Sequence, residues 1–227
     1  MEPSAHRTAR LDYRTMSTPT PRPSKVEGWN QRYDRAEYVF GTEPNDFLRD
    51  VADQIPAGPV LCLAEGEGRN AVFLAGRGHP VTAVDQSEVG IEKAQRLAAE
   101  QSVEIETAVA DLGQFQIEPG AWSGIVSIFW HVPADLRSAV YRRAVAGLQP
   151  GGVFVLEAYT PAQIGLGTGG PGDPALTPTL AQLRDELTGL DIEIGRELRR
   201  QVLEGIGHTG WSEVVQVLAR KPLAISD

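Results

Sequence analysis

The 227-residue sequence holds a single cysteine, Cys62, and no apolar run approaching the roughly 20 residues needed to cross a bilayer. One thiol excludes an intrachain disulfide framework and a zinc site built on paired thiolates, so a reducing, cytoplasmic setting without a bound metal is expected. The N-terminus lacks the apolar core of a secretory signal, and no membrane partner is expected. Basic residues are in deficit: 21 Lys and Arg stand against 30 Asp and Glu, a net charge of -9. A body of that sign does not neutralise nucleic-acid phosphates, which removes nucleic acid from the expected partners. The deficit is uneven, since residues 1–28 carry five basic and three acidic residues and the rest a net -11. Nothing in the sequence marks an oligomeric state.

Residues 1–28, with Pro3, Pro19, Pro21 and Pro23 among Ser, Thr and Arg, hold too few large apolar groups to offset the entropy of ordering them. They read as a disordered arm. An organelle leader is the alternative, against which Glu2 and Asp12 count. Residues 29–221 read as one domain and 222–227 as a tail. Strand-length apolar runs at 60–64, 81–85, 103–110, 125–129 and 153–158 alternate with helix-compatible stretches at 45–54, 70–77, 87–101, 134–148 and 179–187. Ser87 suits an N-cap, and Gly78 and Gly151 suit positions just past helix ends. Such alternation specifies an α/β fold, a parallel sheet with helices on both faces. Two last runs, 191–203 and 214–220, flank the turn Gly205-Ile206-Gly207-His208-Thr209-Gly210 with no room for a helix, so they must pair antiparallel. The expected sheet has seven strands, mostly parallel, ending in an antiparallel hairpin.

The segment Val60-Leu61-Cys62-Leu63-Ala64-Glu65-Gly66-Glu67-Gly68-Arg69-Asn70-Ala71 reads as strand, tight turn and helix start. Gly66, Gly68 and Ala71 satisfy the dinucleotide pattern, and Asp85 closes the next strand where a carboxylate grips ribose hydroxyls. The loop, however, carries Glu65 and Glu67. A pyrophosphate here would meet like charges at a cost of about 1 to 4 kcal/mol. S-adenosylmethionine (SAM) keeps the adenosine, lacks phosphate and carries ammonium and sulfonium cations. In that reading Gly66 and Gly68 let the backbone approach, Glu65 or Glu67 faces the ammonium, and Asp85 accepts from the ribose. Asp111 ends the next strand, where it suits the adenine amino group while Leu112 packs on the ring. The alternatives are glutamates turned to solvent over a plain glycine turn, and Asp111 as a loop cap.

These residues resemble the class I SAM-dependent methyltransferases, Rossmann-like doubly wound proteins, and among them the tellurite-resistance type and its uncharacterised bacterial relatives. The resemblance runs from about residue 29 to 221. It is carried by Trp29-Asn30-Gln31-Arg32-Tyr33, Tyr38-Val39-Phe40-Gly41-Thr42-Glu43-Pro44-Asn45, Gly66-Glu67-Gly68-Arg69-Asn70, Val84-Asp85-Gln86-Ser87 and Pro150-Gly151-Gly152-Val153. It implies SAM as cofactor and S-adenosylhomocysteine as product. The cofactor side then comprises Trp29, Tyr33, Tyr38, Ala64, Glu65, Gly66, Glu67, Gly68, Arg69, Asn70, Asp85, Gln86, Ser87, Asp111, Leu112 and Ile128. The family usually has an acid at the position of Cys62 and glycine at that of Ala64. Glu65 is expected to take over the missing carboxylate's duty.

Methyl transfer from a sulfonium is an in-line displacement, in which positioning supplies roughly 7 to 11 kcal/mol without covalent catalysis. Past the fourth strand, Phe129-Trp130-His131-Val132-Pro133-Ala134-Asp135-Leu136-Arg137 resembles the wall between cofactor and acceptor. His131 is the candidate base and Arg137 an electrostatic tether for an anionic acceptor. The alternative for His131 is a structural bond to the backbone. Phe40, Trp130, Tyr159 and His208 are assigned to the substrate, and the Gly- and Pro-rich link 159–174 to a lid. The expected function is methyl transfer to a small molecule, a thiol or a selenium or tellurium compound ahead of O- and N-acceptors on resemblance alone. The alternatives are a SAM-binding module without turnover and an NAD-linked oxidoreductase.

Overall fold

The computed structural model describes residues 25–223. The expected arm therefore lies largely outside the described residues, as does most of the tail. Two helices, α1 (Lys25–Tyr33) and α2 (Asp46–Val51, continued by a 3₁₀ turn Ala52–Gln54), precede the sheet. Then follow β1 (Val60–Leu63), α3 (Arg69–Gly76), β2 (Val81–Asp85), α4 (Glu88–Glu100), β3 (Glu106–Val109), β4 (Trp122–Ile128), α5 (Ala134–Gly147), β5 (Leu148–Tyr159), α6 (Leu180–Glu186), β6 (Asp191–Glu204) and β7 (His208–Arg220). The strand order is 3-2-1-4-5-7-6. The first five strands run parallel, and β7 is antiparallel to both β5 and β6. The expected α/β class, seven strands and terminal hairpin are all present.

Period-2 alternation along the central strands builds two cores. Leu61, Leu63, Ile125, Phe154, Leu156 and Val217 meet Val140, Tyr141 and Ala144 of α5 and Leu183 of α6. Val60, Cys62, Ala83, Val126 and Val155 meet Phe47 and Leu48 of α2 and Ala71 and Leu74 of α3. Cys62 is thus a small apolar side chain under α3. Local chemistry sets the helix starts: the Ser87 hydroxyl accepts from Gly90 N at 3.0 Å, and Thr179 and Gln182 form a reciprocal capping box on α6.

Several boundaries depart from the sequence reading. Helix α1 begins at Lys25, within the expected arm, because Tyr33 lies against Gly66 of the loop after β1, Trp29 lies near Phe40, and Ser87 Oγ donates to Asn30 Oδ1 at 2.6 Å. Strand β7 begins at His208, so the turn shrinks to Gly205–Gly207 and the hairpin outruns β5. Gly151 lies inside β5 rather than past a helix end. The overhanging turn meets the segment before α2: Gly207 N donates to Val39 O at 3.0 Å. The segment before α2 and the β6–β7 turn therefore close over one edge of the sheet, the carboxyl edge of its parallel strands. Among the described residues no helix is long and apolar enough to cross a membrane.

Candidate functional site

At that carboxyl edge, where β1 lies between β2 and β4 and the chain's winding reverses, lies a cavity of about 520 Å³. The loop after β1 forms its floor. Gly68 adopts φ +92, and a Cβ there would stand 2.6 Å from Ala94 of α4; at Gly66 (φ +62) a Cβ would stand 2.6 Å from the Tyr33 hydroxyl. Both positions need glycine for close approach. Ala64 is also left-handed, at φ 51, a strained conformation for a residue with a Cβ.

Glu65 lines the cavity, but its Oε1 accepts from the amides of Asn70 at 2.8 Å and Ala71 at 2.9 Å. The carboxylate thereby caps the start of α3. These are the amides that would otherwise receive a phosphate, and burial pushes Glu65 up to about 7. Glu67 departs from expectation. Its Oε2 accepts from Val39 N at 2.8 Å, its Oε1 pairs with Lys93 at 2.5 Å, and the residue lies outside the cavity. It braces the 38–41 segment instead of facing a ligand, and Lys93 also donates to the carbonyls of Tyr33, Arg35 and Glu37. Tyr38 turns away as well, with its hydroxyl on Lys93 O.

Asp85 and Asp111 both line the cavity. Asp85 is held by Gly66 N at 2.9 Å and Ser87 N at 2.8 Å, and burial raises its carboxyl. Asp111 accepts from Gly113 N at 2.8 Å and is solvent-exposed. Trp29, Tyr33, Ala64, Arg69, Asn70, Gln86, Leu112 and Ile128 complete the expected cofactor set around the cavity, whereas Gly66, Gly68 and Ser87 stand behind it as backbone supports. The donor set fits an adenosyl ligand without phosphate. Carboxylates wait at two strand ends, and the helix amides are already occupied.

The rest of the cavity lining is largely aromatic and apolar: Phe40, Phe129, Trp130, Leu136, Pro171 and Leu176, with His131 and His208 among them. Phe129 takes φ 54, unusual for a bulky residue, and its ring lies 4.6 Å from those of Tyr159 and His208. The 159–174 link forms part of this wall through Gly170 and Pro171 and is pinned by Gln163, which donates to Thr168 and Gly169 O and accepts from Glu213 N.

Two catalytic expectations are corrected here. His131 lines the cavity, but its Nε2 accepts the amide of Tyr159 at 3.0 Å. Burial pushes its pKa down to about 3, with His208 adding to the effect. With that lone pair engaged, His131 latches β5 and is not a free base. Arg137 is wholly buried, forms a fork with Glu186 at 2.9 and 2.8 Å, and lies outside the cavity. It ties α5 to α6. Tyr159 is likewise buried behind the wall and does not line the cavity.

Sequence reasoning missed the polar network behind Arg69. Glu204 Oε2 pairs with Arg69 at 2.5 Å, and its Oε1 accepts from Arg200 at 3.0 Å and Asn45 at 2.9 Å. Arg200 also reaches Glu157 at 2.6 Å and Asp46 at 3.2 Å. Burial favours the neutral form of Glu204, but His208, Arg69 and Arg200 outweigh it and hold the carboxyl down at about 2. The spacing of Glu204 and His208 across the Gly205-Ile206-Gly207 turn was the available signal.

Residues 60–152 match the family described as a methyltransferase domain. A 2-heptyl-1-hydroxyquinolin-4(1H)-one methyltransferase from Mycobacteroides abscessus is 26% identical over 152 residues, 66% of each protein. Among solved structures, one from work on the conversion of a disulfide bond into a thioacetal group during echinomycin biosynthesis superimposes with TM-score 0.70 at 19% identity, covering 88% of this chain and 93% of that one. TehB from Haemophilus influenzae gives TM-score 0.65 at 20% identity, covering 86% of this chain and 66% of that one. At these identities the likeness is one of fold.

Proposed function

We propose, from the premise that this chain carries a class I, SAM-dependent methyltransferase domain, that it methylates a flat, mostly apolar heteroaromatic small molecule at an oxygen or nitrogen. The observation that carries this reading is the aromatic and apolar part of the lining, where Phe40, Phe129, Trp130 and Leu176 line the cavity. Aromatic walls favour planar ligands through stacking and edge contacts. The guanidiniums that line the cavity are engaged: Arg69 with Glu204, and Arg32 over the rings of Trp29 and Phe40 at 5.2 and 5.3 Å. Arg69 is thereby neutralised by a carboxylate whereas Arg32 keeps its charge, so the aromatic wall alone is the argument for heterocycles ahead of selenium or tellurium oxyanions. The hydroxyquinolone in the name of the Mycobacteroides relative belongs to the same chemical class.

SAM would be held by Asp85 at its ribose hydroxyls and by Asp111 and Leu112 around the adenine. Bound there, it supplies a sulfonium methyl group. The chain's own contribution is to order the cavity, exclude water with the Phe40 and Phe129 walls, and align the acceptor with the methyl carbon.

The test is formation of S-adenosylhomocysteine from SAM by the purified protein with hydroxyquinolines, N-hydroxyquinolones and other hydroxylated heterocycles, beside thiols, selenite and tellurite. Turnover confined to the heterocycles supports the proposal. Turnover confined to the thiols or oxyanions contradicts it, and SAM binding without any turnover supports a binding module.

A further inference from the structure

Glu204 and His208 stand at the two ends of the β6–β7 turn, with Oε2 and Nδ1 3.7 Å apart. His208 lines the aromatic part of the cavity, its ring 4.5 Å from that of Phe40 and 4.6 Å from that of Phe129. Its Nδ1 is buried without a hydrogen-bond partner among the described residues. The carboxylate facing that nitrogen is fixed at both oxygens, by Arg69 on one and by Arg200 and Asn45 on the other. A carboxylate so held stays ionised and in place. An ionised carboxylate beside Nδ1 favours the neutral tautomer protonated there, which leaves the lone pair on Nε2.

We propose that His208 Nε2 is the base that takes the acceptor's proton during methyl transfer, with Glu204 as the positioning residue that fixes its tautomer and stabilises the imidazolium. The inference rests on the preceding reading of an O–H or N–H heterocycle as acceptor. The acceptor's proton passes to Nε2, the freed lone pair bonds to the methyl carbon, and the carbon–sulfur pair remains on sulfur. The products are methylated acceptor, neutral S-adenosylhomocysteine and an imidazolium that returns its proton to solvent. His131, the other histidine on this wall, is excluded because the Tyr159 amide occupies its Nε2.

The charged and titratable groups facing His208 are Glu204, Arg69, Arg32, His131 and Tyr159. Burial lowers its pKa, Glu204 opposes that, and Arg69 and Arg32 add to the lowering, which leaves it below 6.5. The neutral base is thus available at pH 7, and turnover should show an acid limb below that value.

The experiment compares wild type with His208→Gln across pH on two hydroxylated heterocycles, one protonated and one ionised at pH 7. S-adenosylhomocysteine binding by calorimetry is measured alongside. NMR titration of the His208 ring in wild type and Glu204→Gln supplies a readout independent of turnover. We expect His208→Gln to bind S-adenosylhomocysteine as wild type does, to lose the acid limb, and to lose on the order of 10²- to 10⁴-fold in kcat on the protonated acceptor, with a much smaller loss on the ionised one. Glu204→Gln should lower the ring's pKa. Equal losses on both acceptors, a retained acid limb, lost S-adenosylhomocysteine binding or an unmoved ring pKa would each overturn the pair's assignment. Wild type that binds S-adenosylhomocysteine yet methylates no hydroxylated heterocycle would overturn the acceptor reading itself, and the ring titration would still report on the pair.

Discussion

Glu65 accepts the amide of Asn70 at 2.8 Å, five residues further along the chain, so the start of α3 is capped by a carboxylate from the loop that precedes it. The same oxygen takes the Ala71 amide. Replacing Glu65 by Ala frees both donors, and the expected loss of stability is about 1 to 2 kcal/mol. Glu65→Gln keeps an accepting oxygen and removes the charge.

Burial raises the Glu65 carboxyl from 4.5 to about 7. Between those values the folded state binds more protons than the unfolded chain, so stability falls as pH rises through that window. Glu65→Gln should flatten this slope and be the more stable protein above pH 7, by on the order of 2 to 3 kcal/mol. Denaturant midpoints measured from pH 4.5 to 8 decide the matter; identical slopes in the two proteins would contradict it.

Ala64 carries φ 51 where its Cβ is unfavourable. Ala64→Gly should relieve that strain and stabilise the protein by about 1 kcal/mol, the left-handed cost less the extra entropy of glycine in the unfolded chain. Equilibrium unfolding measures it. A destabilised variant would mean the Ala64 methyl contributes more through its packing against the neighbouring core than its backbone costs.

The Nε2 of His131 is the acceptor for a strand amide, and His131→Phe leaves that amide without its partner. A loss of about 1 to 3 kcal/mol is expected. Because burial lowers the folded-state pKa from 6.5 to about 3, the ring's contribution is fully present above pH 6.5 and is lost as pH falls through that window. His131→Phe should therefore show less acid destabilisation than wild type. Unchanged acid sensitivity would contradict the latch.

Arg69 and Glu204 form a buried pair at 2.5 Å. Arg69→Met leaves Glu204 with Arg200, Asn45 and the neighbouring His208, and a loss of about 3 kcal/mol is expected. Glu204 is held near 2, below its ordinary 4.5. Its stabilisation is thus present above pH 4.5 and lost as pH falls toward 2. Arg69→Met should weaken that acid transition. Unfolding curves of both proteins at pH 7 and pH 3 test the two statements together.

The sheet was legible because its strands announce themselves: β2 is the five-residue run Val81–Asp85 with glycine and proline nearby, and Ser87 supplies the cap of α4. The carboxylates at 85 and 111 were legible from strand-end position alone. What local pattern does not encode is direction. Glu65 and Glu67 are two residues apart and chemically identical, yet one caps α3 at the cavity and the other pairs with Lys93 behind it. Lys93 lies in the middle of α4, and nothing near residue 67 names it as the partner. His131 shows the same limit, since its partner amide is 28 residues away on β5. Helix α1 was missed because its stability comes from tertiary contacts, of Trp29 and Tyr33 with Phe40 and of Asn30 with Ser87, rather than from its own periodicity.

The central claim is that an internal carboxylate occupies the phosphate-binding amides of α3, so the cavity admits an adenosyl sulfonium and refuses a dinucleotide. Titration calorimetry of the purified protein with S-adenosylhomocysteine and, separately, with NADH tests this most directly. The account predicts saturable one-site binding of S-adenosylhomocysteine and no heat of binding for NADH. Tight binding of NADH with none for S-adenosylhomocysteine would contradict it.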